Sequence, residues 1–93
     1  MLHYEYDQEL LNIEEQQSGQ DVEFWLRMKR PDAGVEKAVK QVRAHFDQDD
    51  MTLDVLFYAH PQEAYQWIMR QDAYMEFVMC LFKHRLFTSI RWN

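Results

Sequence analysis

The chain is poor in residues that punctuate structure: two glycines and two prolines in 93 residues, with a single cysteine. One cysteine closes no internal disulfide, which fits a reducing compartment. Two glycines leave no material for a phosphate-cradling loop, and no P-loop, dinucleotide glycine pattern or H-E-x-x-H motif is present. The scarcity of glycine and proline also excludes collagen-like or low-complexity content as the main substance of the chain. No run of apolar residues approaches the length of a membrane-spanning helix. The start has no basic segment followed by an apolar stretch, so no secretory signal is expected and a cytoplasmic location is.

What is present is hydrophobic material rich in rings. Apolar residues make up 47% and aromatics 15%, with six Phe, five Tyr, three Trp and six Met. The length suits one domain, residues 1–93. A chain this short buries only about 60–65% of the surface it exposes when unfolded. Either the thin core is unusually aromatic, or some of these rings are kept for a partner, and the second is the expectation.

The net charge is −6. That excludes broad sequence-independent binding to nucleic acid or anionic lipid. The charges are segregated. Residues 1–26 hold Glu5, Asp7, Glu9, Glu14, Glu15, Asp21 and Glu23 with no Lys or Arg. Residues 27–46 hold Arg27, Lys29, Arg30, Lys37, Lys40 and Arg43 against Asp32 and Glu36. Such runs ordinarily form solvated faces, and they also permit the acidic start of one chain to meet a basic helix of another.

The pattern along the chain gives the order β-β-α-β-α-α-β. Residues 1–17 alternate as a strand (Tyr4, Tyr6, then Leu11, Ile13), although 8–17 are rich in helix formers. The polar turn Ser18-Gly19-Gln20-Asp21 favours the strand and a hairpin. Over 22–30, Val22, Phe24, Leu26 and Met28 fall on one side at period two. Residues 32–46 form a helix with Val35, Ala38, Val39, Val42 and Phe46 on one face and Asp32 as its cap. Residues 47–50 read as a loop, 51–59 as a strand and 61–70 as a helix opened by Pro61. Residues 73–83, apolar nearly all round, read as a buried central helix, and 86–92 as a last strand.

The expected fold is therefore α+β: a small mixed sheet of about four strands, built from two β-α-β units, with helices mainly on one face. One sheet face is apolar throughout (Val22, Phe24, Leu26, Met28; Leu53, Val55, Phe57; Leu86, Ile90, Trp92). The other mixes rings with cations: Trp25, Arg27, Leu56, Tyr58, Phe87 and Arg91. This second face is the expected contact site, the alternative being that the N-terminal segment folds over it.

Two further clusters bear on chemistry. His60, with Tyr58 and Glu63 near it, sits where a strand would pass into a helix N-terminus, a position that favours an anionic ligand. Cys80 and His84 have the spacing of a metal half-site, but no second pair completes it, and Cys80 reads as a buried small apolar residue. Asp47, Asp49 and Asp50 lack the glycine and distal Glu of a calcium loop. No metal and no cofactor is expected. The sheet lacks the glycine-aromatic signature of RNA-stacking sheets.

The expected function is a small non-catalytic protein acting through protein contacts and self-associating as a homodimer. One alternative is an acidic inhibitor or immunity-type protein that neutralises a basic enzyme. Another is a small anionic ligand site around His60. Neither nucleic acid nor membrane is an expected partner.

Overall fold

A computed structural model describes residues 2–48 and 55–93. The chain runs β1 (Leu2–Glu5), β2 (Leu11–Ser18), β3 (Asp21–Met28), α1 (Ala33–Gln48), β4 (Val55–His60), β5 (Ala64–Arg70), a 3-10 turn (Gln71–Ala73), α2 (Tyr74–Lys83) and β6 (Ser89–Trp92). Among the described residues this is an α+β fold of six strands and two helices. Four strands form one antiparallel sheet in the order β2-β3-β5-β4, and β1 and β6 form a separate antiparallel ribbon.

The β2–β3 hairpin closes as the turn residues require. Ser18 pairs with Asp21, and Gly19 takes a positive φ of 61° between them. Glycine reaches that conformation without steric cost. The alternation in β3 is read as expected, with Val22, Phe24, Leu26 and Met28 all buried. Helix α1 follows its pattern too. Asp32 Oδ1 accepts the Val35 N–H (2.9 Å) as an N-cap, and Val35, Ala38, Val39, Val42 and Phe46 are buried. The helix continues through Asp47 and Gln48, two positions expected in a loop, and Asp47 pairs with Arg43 one turn back at 3.5 Å.

Several expectations fail, each for a local reason. Residues 61–70 are not helical. Pro61, Gln62 and Glu63 form a three-residue hairpin loop with Gln62 and Glu63 at φ 64° and 59°, and His60 pairs across it with Ala64. The ring-rich run Tyr65-Gln66-Trp67-Ile68-Met69 then alternates as β5, which suits aromatic and β-branched side chains. Its Trp67 and Met69 are buried. Because β5 inserts between β3 and β4, those two strands are parallel but do not touch, and neither β-α-β unit forms as parallel neighbours.

The start is divided rather than continuous. Asp7 turns the chain between β1 and β2, its backbone carbonyl accepting the N–H groups of Leu10 and Leu11. At the other end, α2 stops in a Schellman motif. Leu86 N–H bonds to Leu81 O (2.9 Å) and Arg85 N–H to Phe82 O (3.0 Å), with Arg85 at φ 65°. Leu86 and Phe87 therefore lie in the turn, buried, and only Ser89–Trp92 is strand. The expected strand over 51–59 is observed from Val55; Asp49, Asp50, Met51, Thr52, Leu53 and Asp54 lie outside the described residues.

Both helices and the β1–β6 ribbon lie on one face of the sheet. Phe77 of α2 is wholly buried at the centre, its ring 4.8 Å from Phe24, 5.4 Å from Trp67 and 5.9 Å from Phe46. Arg43 of α1 sits 5.0 Å over the ring of Phe57 in β4. Tyr4 of the ribbon stacks on Phe87 at 4.1 Å. No helix of the described residues is long and apolar enough to cross a membrane.

Candidate contact surfaces

Strand pairing aligns side chains in rows across the uncovered face. One row reads Asn12, Arg27, Ala64, His60; the next Glu14, Trp25, Gln66, Tyr58; the third Gln16, Glu23, Ile68, Leu56. No described helix or strand lies over these rows. Leu56 is 52% and Tyr58 45% exposed, while Trp25 and Ile68 are half-buried.

The centre of this face is held by a polar lattice. Trp25 Nε1–H donates to Glu23 Oε1 (2.6 Å), and Gln66 Nε2–H donates to the same oxygen (2.6 Å). The Gln66 carbonyl then faces His60 Nε2 at 2.8 Å. A carbonyl oxygen can only accept, so Nε2 carries the hydrogen and, in the neutral ring, Nδ1 is the open acceptor. The His60 ring also stacks on Trp25, centroids 4.8 Å apart. Trp25 is thus fixed on both its polar edge and its ring. A hollow of about 190 Å3 adjoins it, lined by Asn12, Glu14, Gln16 and Arg27. Arg27 and Arg70 make no ion pair among the described residues.

The expected contact set is only partly gathered here. Trp25, Arg27, Leu56 and Tyr58 share the open face. Phe87 does not: it is 1% exposed, buried against Tyr4. Arg91 lies on the ribbon, paired in register with His3. Both misplacements follow from assigning β6 to the main sheet. His60 is likewise not at a helix N-terminus. It ends β4 at a hairpin, and Glu63 is in the hairpin loop, its carbonyl accepting the Met28 N–H at 3.2 Å. The helix dipole invoked for an anionic ligand does not exist at that place.

A second cluster lies on the opposite side, at the outer edge of β2. Glu15 Oε1 accepts the hydroxyl of Tyr4 (2.7 Å) and that of Tyr74 (3.1 Å). Burial, reinforced by the Glu15 carboxylate, holds the Tyr4 hydroxyl far above its ordinary pKa, and the same causes push Tyr74 up to about 12. The three residues border a groove of about 630 Å3, overhung by Trp92, which is 69% exposed. Sequence reasoning missed this cluster. The available signal was an acid at the third position of the inward alternation Leu11, Ile13, Glu15.

A third feature is on α2. The sequence implied burial all round, yet Met75 (45%), Met79 (49%) and Phe82 (41%) are exposed in one i, i+4, i+7 stripe. Phe77, Val78, Cys80 and Leu81 are buried on the inward side, with half-buried Tyr74 packed beside them. Burial pushes the Cys80 thiol up to about 11, which keeps it protonated and unreactive. Burial lowers the pKa of His84, and no three metal-ligating side chains come together among the described residues.

In comparisons with known proteins, the chain matches no family model, no curated protein and no solved structure.

Proposed function

We propose that this protein is a non-catalytic contact module whose open sheet face pairs with a second copy of the chain. One observation carries the reading: a sheet face left uncovered by any described helix or strand, with Trp25 locked at its centre by Glu23 and His60. An aromatic anchor held rigid before binding loses little entropy on association, which is the property of interface hot spots. Leu56, Tyr58 and Ile68 supply the adjoining apolar surface. Glu14 and Glu23 stand on the same face as Arg27 and Arg70, so both signs are available to a two-fold contact in which each residue meets its counterpart's neighbour. His60, the imidazole on this face, is spent on structure through Gln66 and Trp25.

The size of the face sets the expected strength. Four strands at about 4.8 Å spacing and about seven residues of length give a patch on the order of 300–400 Å2 in projection. A face of that size lies at the small end of specific interfaces, so a weak dimer in exchange with monomer is expected. Sedimentation velocity across micromolar concentrations tests it. The mass should rise from 11.4 kDa toward twice that value. Leu56→Lys, at an exposed position, should hold the chain monomeric with unchanged circular dichroism. A concentration-independent 11.4 kDa species would overturn the proposal.

A further inference from the structure

The groove between the β1–β6 ribbon and the start of α2 is a place apart from the open sheet face, and its chemistry is one-sided. Its polar walls are Glu15, Gln17 and Gln71, and its rings are Tyr4, Tyr74 and Trp92. Among the described residues no Lys or Arg lines it, and His3 is the one basic side chain at its border. Both phenols spend their hydrogens on Glu15 Oε1, so their oxygens are left as acceptors only, and Glu15 Oε2 has no partner among the described residues. The exposed Trp92 adds the negative face of an indole.

We propose that this groove binds an alkylated ammonium group, held by the Glu15 carboxylate and the rings of Tyr4, Tyr74 and Trp92. An anion would be repelled by Glu15. A neutral apolar ligand would strip water from the carboxylate and return nothing for it. A hard metal ion needs six or so oxygen ligands, and one carboxylate does not furnish them. An ammonium with alkyl substituents suits these walls together: its charge meets the carboxylate, the phenol oxygens and the exposed indole of Trp92, and its methyl groups meet the ring surface that Tyr4 and Tyr74 leave outside the core, and Met75. At about 630 Å3 the groove holds such a group together with the chain that carries it. The group can belong to a free amine or to a modified lysine on a peptide, and both present the same chemistry.

The test is a titration of the full chain followed by 15N NMR, reading the indole N–H of Trp92 against those of Trp25 and Trp67. The probes are choline, its uncharged isostere 3,3-dimethylbutan-1-ol, and a short peptide carrying trimethyllysine beside its unmodified lysine form. Choline or the trimethyllysine peptide should shift Trp92 selectively, and the uncharged isostere should bind at least about tenfold more weakly. A response to choline as well as the peptide assigns the site to the ammonium group itself; a response to the peptide alone assigns it to a peptide-borne source. Trp92→Ala, read on the backbone N–H groups of Tyr74 and Met75 that border the groove, should weaken binding about two- to fivefold, the scale of an exposed cation–π contact. Glu15→Gln keeps an oxygen for both phenols, so the fold is retained, and should weaken binding about tenfold. Equal binding of choline and its isostere, an unchanged affinity in Glu15→Gln, or the absence of any Trp92 shift with both charged probes would overturn the assignment.

Discussion

Raising the pH above 10 should destabilise this protein through Tyr4 and Tyr74. Both hydroxyls have folded-state pKa values raised above the ordinary 10, with burial as the largest cause and Glu15 second. In the unfolded chain each tyrosine ionises near pH 10. Between that pH and the raised folded value, the unfolded state has released a proton that the folded state still holds. The unfolded state then binds fewer protons, so stability is complete below pH 10 and falls as pH rises. The limiting slope is about 1.4 kcal/mol per pH unit for each tyrosine. Both side chains are only about half-buried, so solvent screening narrows the pH window in which the two states differ in bound protons, and the loss between pH 10 and 11 is on the order of 0.5 kcal/mol each, or about 1 kcal/mol for the pair. For a domain of this size, that moves the urea midpoint by roughly 0.5–1 M per pH unit. Urea denaturation at pH 9, 10 and 11, followed by circular dichroism, measures it. The double variant Tyr4→Phe/Tyr74→Phe removes both protons while leaving Tyr65, also raised by burial, in place. Its midpoint should fall more gently with pH than that of the parent. Equal slopes in parent and variant would refute the reasoning.

Phe87→Ala should cost about 3–5 kcal/mol, because the ring is sealed against Tyr4, whereas Leu56→Ala on the open face should cost under about 0.5 kcal/mol; chemical denaturation of the two variants separates core from surface. Arg85→Gly relieves a side chain at φ 65° in the Schellman position and should stabilise by about 0.5–1 kcal/mol, read as a rise of several degrees in Tm. The neutral His60 ring should carry its hydrogen on Nε2 in long-range 15N spectra; finding it on Nδ1 would break the Glu23–Gln66–His60 chain as drawn.

Residues 22–28 and 33–46 were legible because one period dominated each, although Val22, Trp25, Leu26 and Lys29 also fit helical spacing in the first. Val22, Phe24, Leu26 and Met28 alternate cleanly, Val35 to Phe46 step by three and four, and Asp32 and Gly19 mark boundaries with a defined mechanism. Residues 61–70 were not legible. Ala64, Tyr65, Trp67 and Ile68 satisfy helical spacing as well as Tyr65, Trp67 and Met69 satisfy alternation. Pro61 opens helices as readily as it sits in turns, so tertiary pairing with β3 decided the matter. That single misassignment carried over into topology, because without β5 the strands β3 and β4 looked like neighbours. The open face survived the error, since Trp25, Arg27, Leu56 and Tyr58 depend only on the parity of β3 and β4. Phe87 and Arg91 depended on a partner strand that belongs elsewhere. The Glu15 groove joins residues from positions 4, 15 and 74, and no local pattern connects contacts so far apart in sequence.

The insertion of β5 between β3 and β4 also bears on how the molecule is assembled. As the chain leaves the ribosome, the hairpin of residues 11–28 and the helix after it emerge first, followed by a strand with no bonding neighbour until residue 64 is available. The middle of the sheet is thus completed from the later part of the sequence, and shortened chains ending before residue 64 would keep the β2–β3 hairpin and a lone β4, each with an exposed hydrogen-bonding rim. Nascent chains of that length should engage chaperones more strongly than the finished protein does.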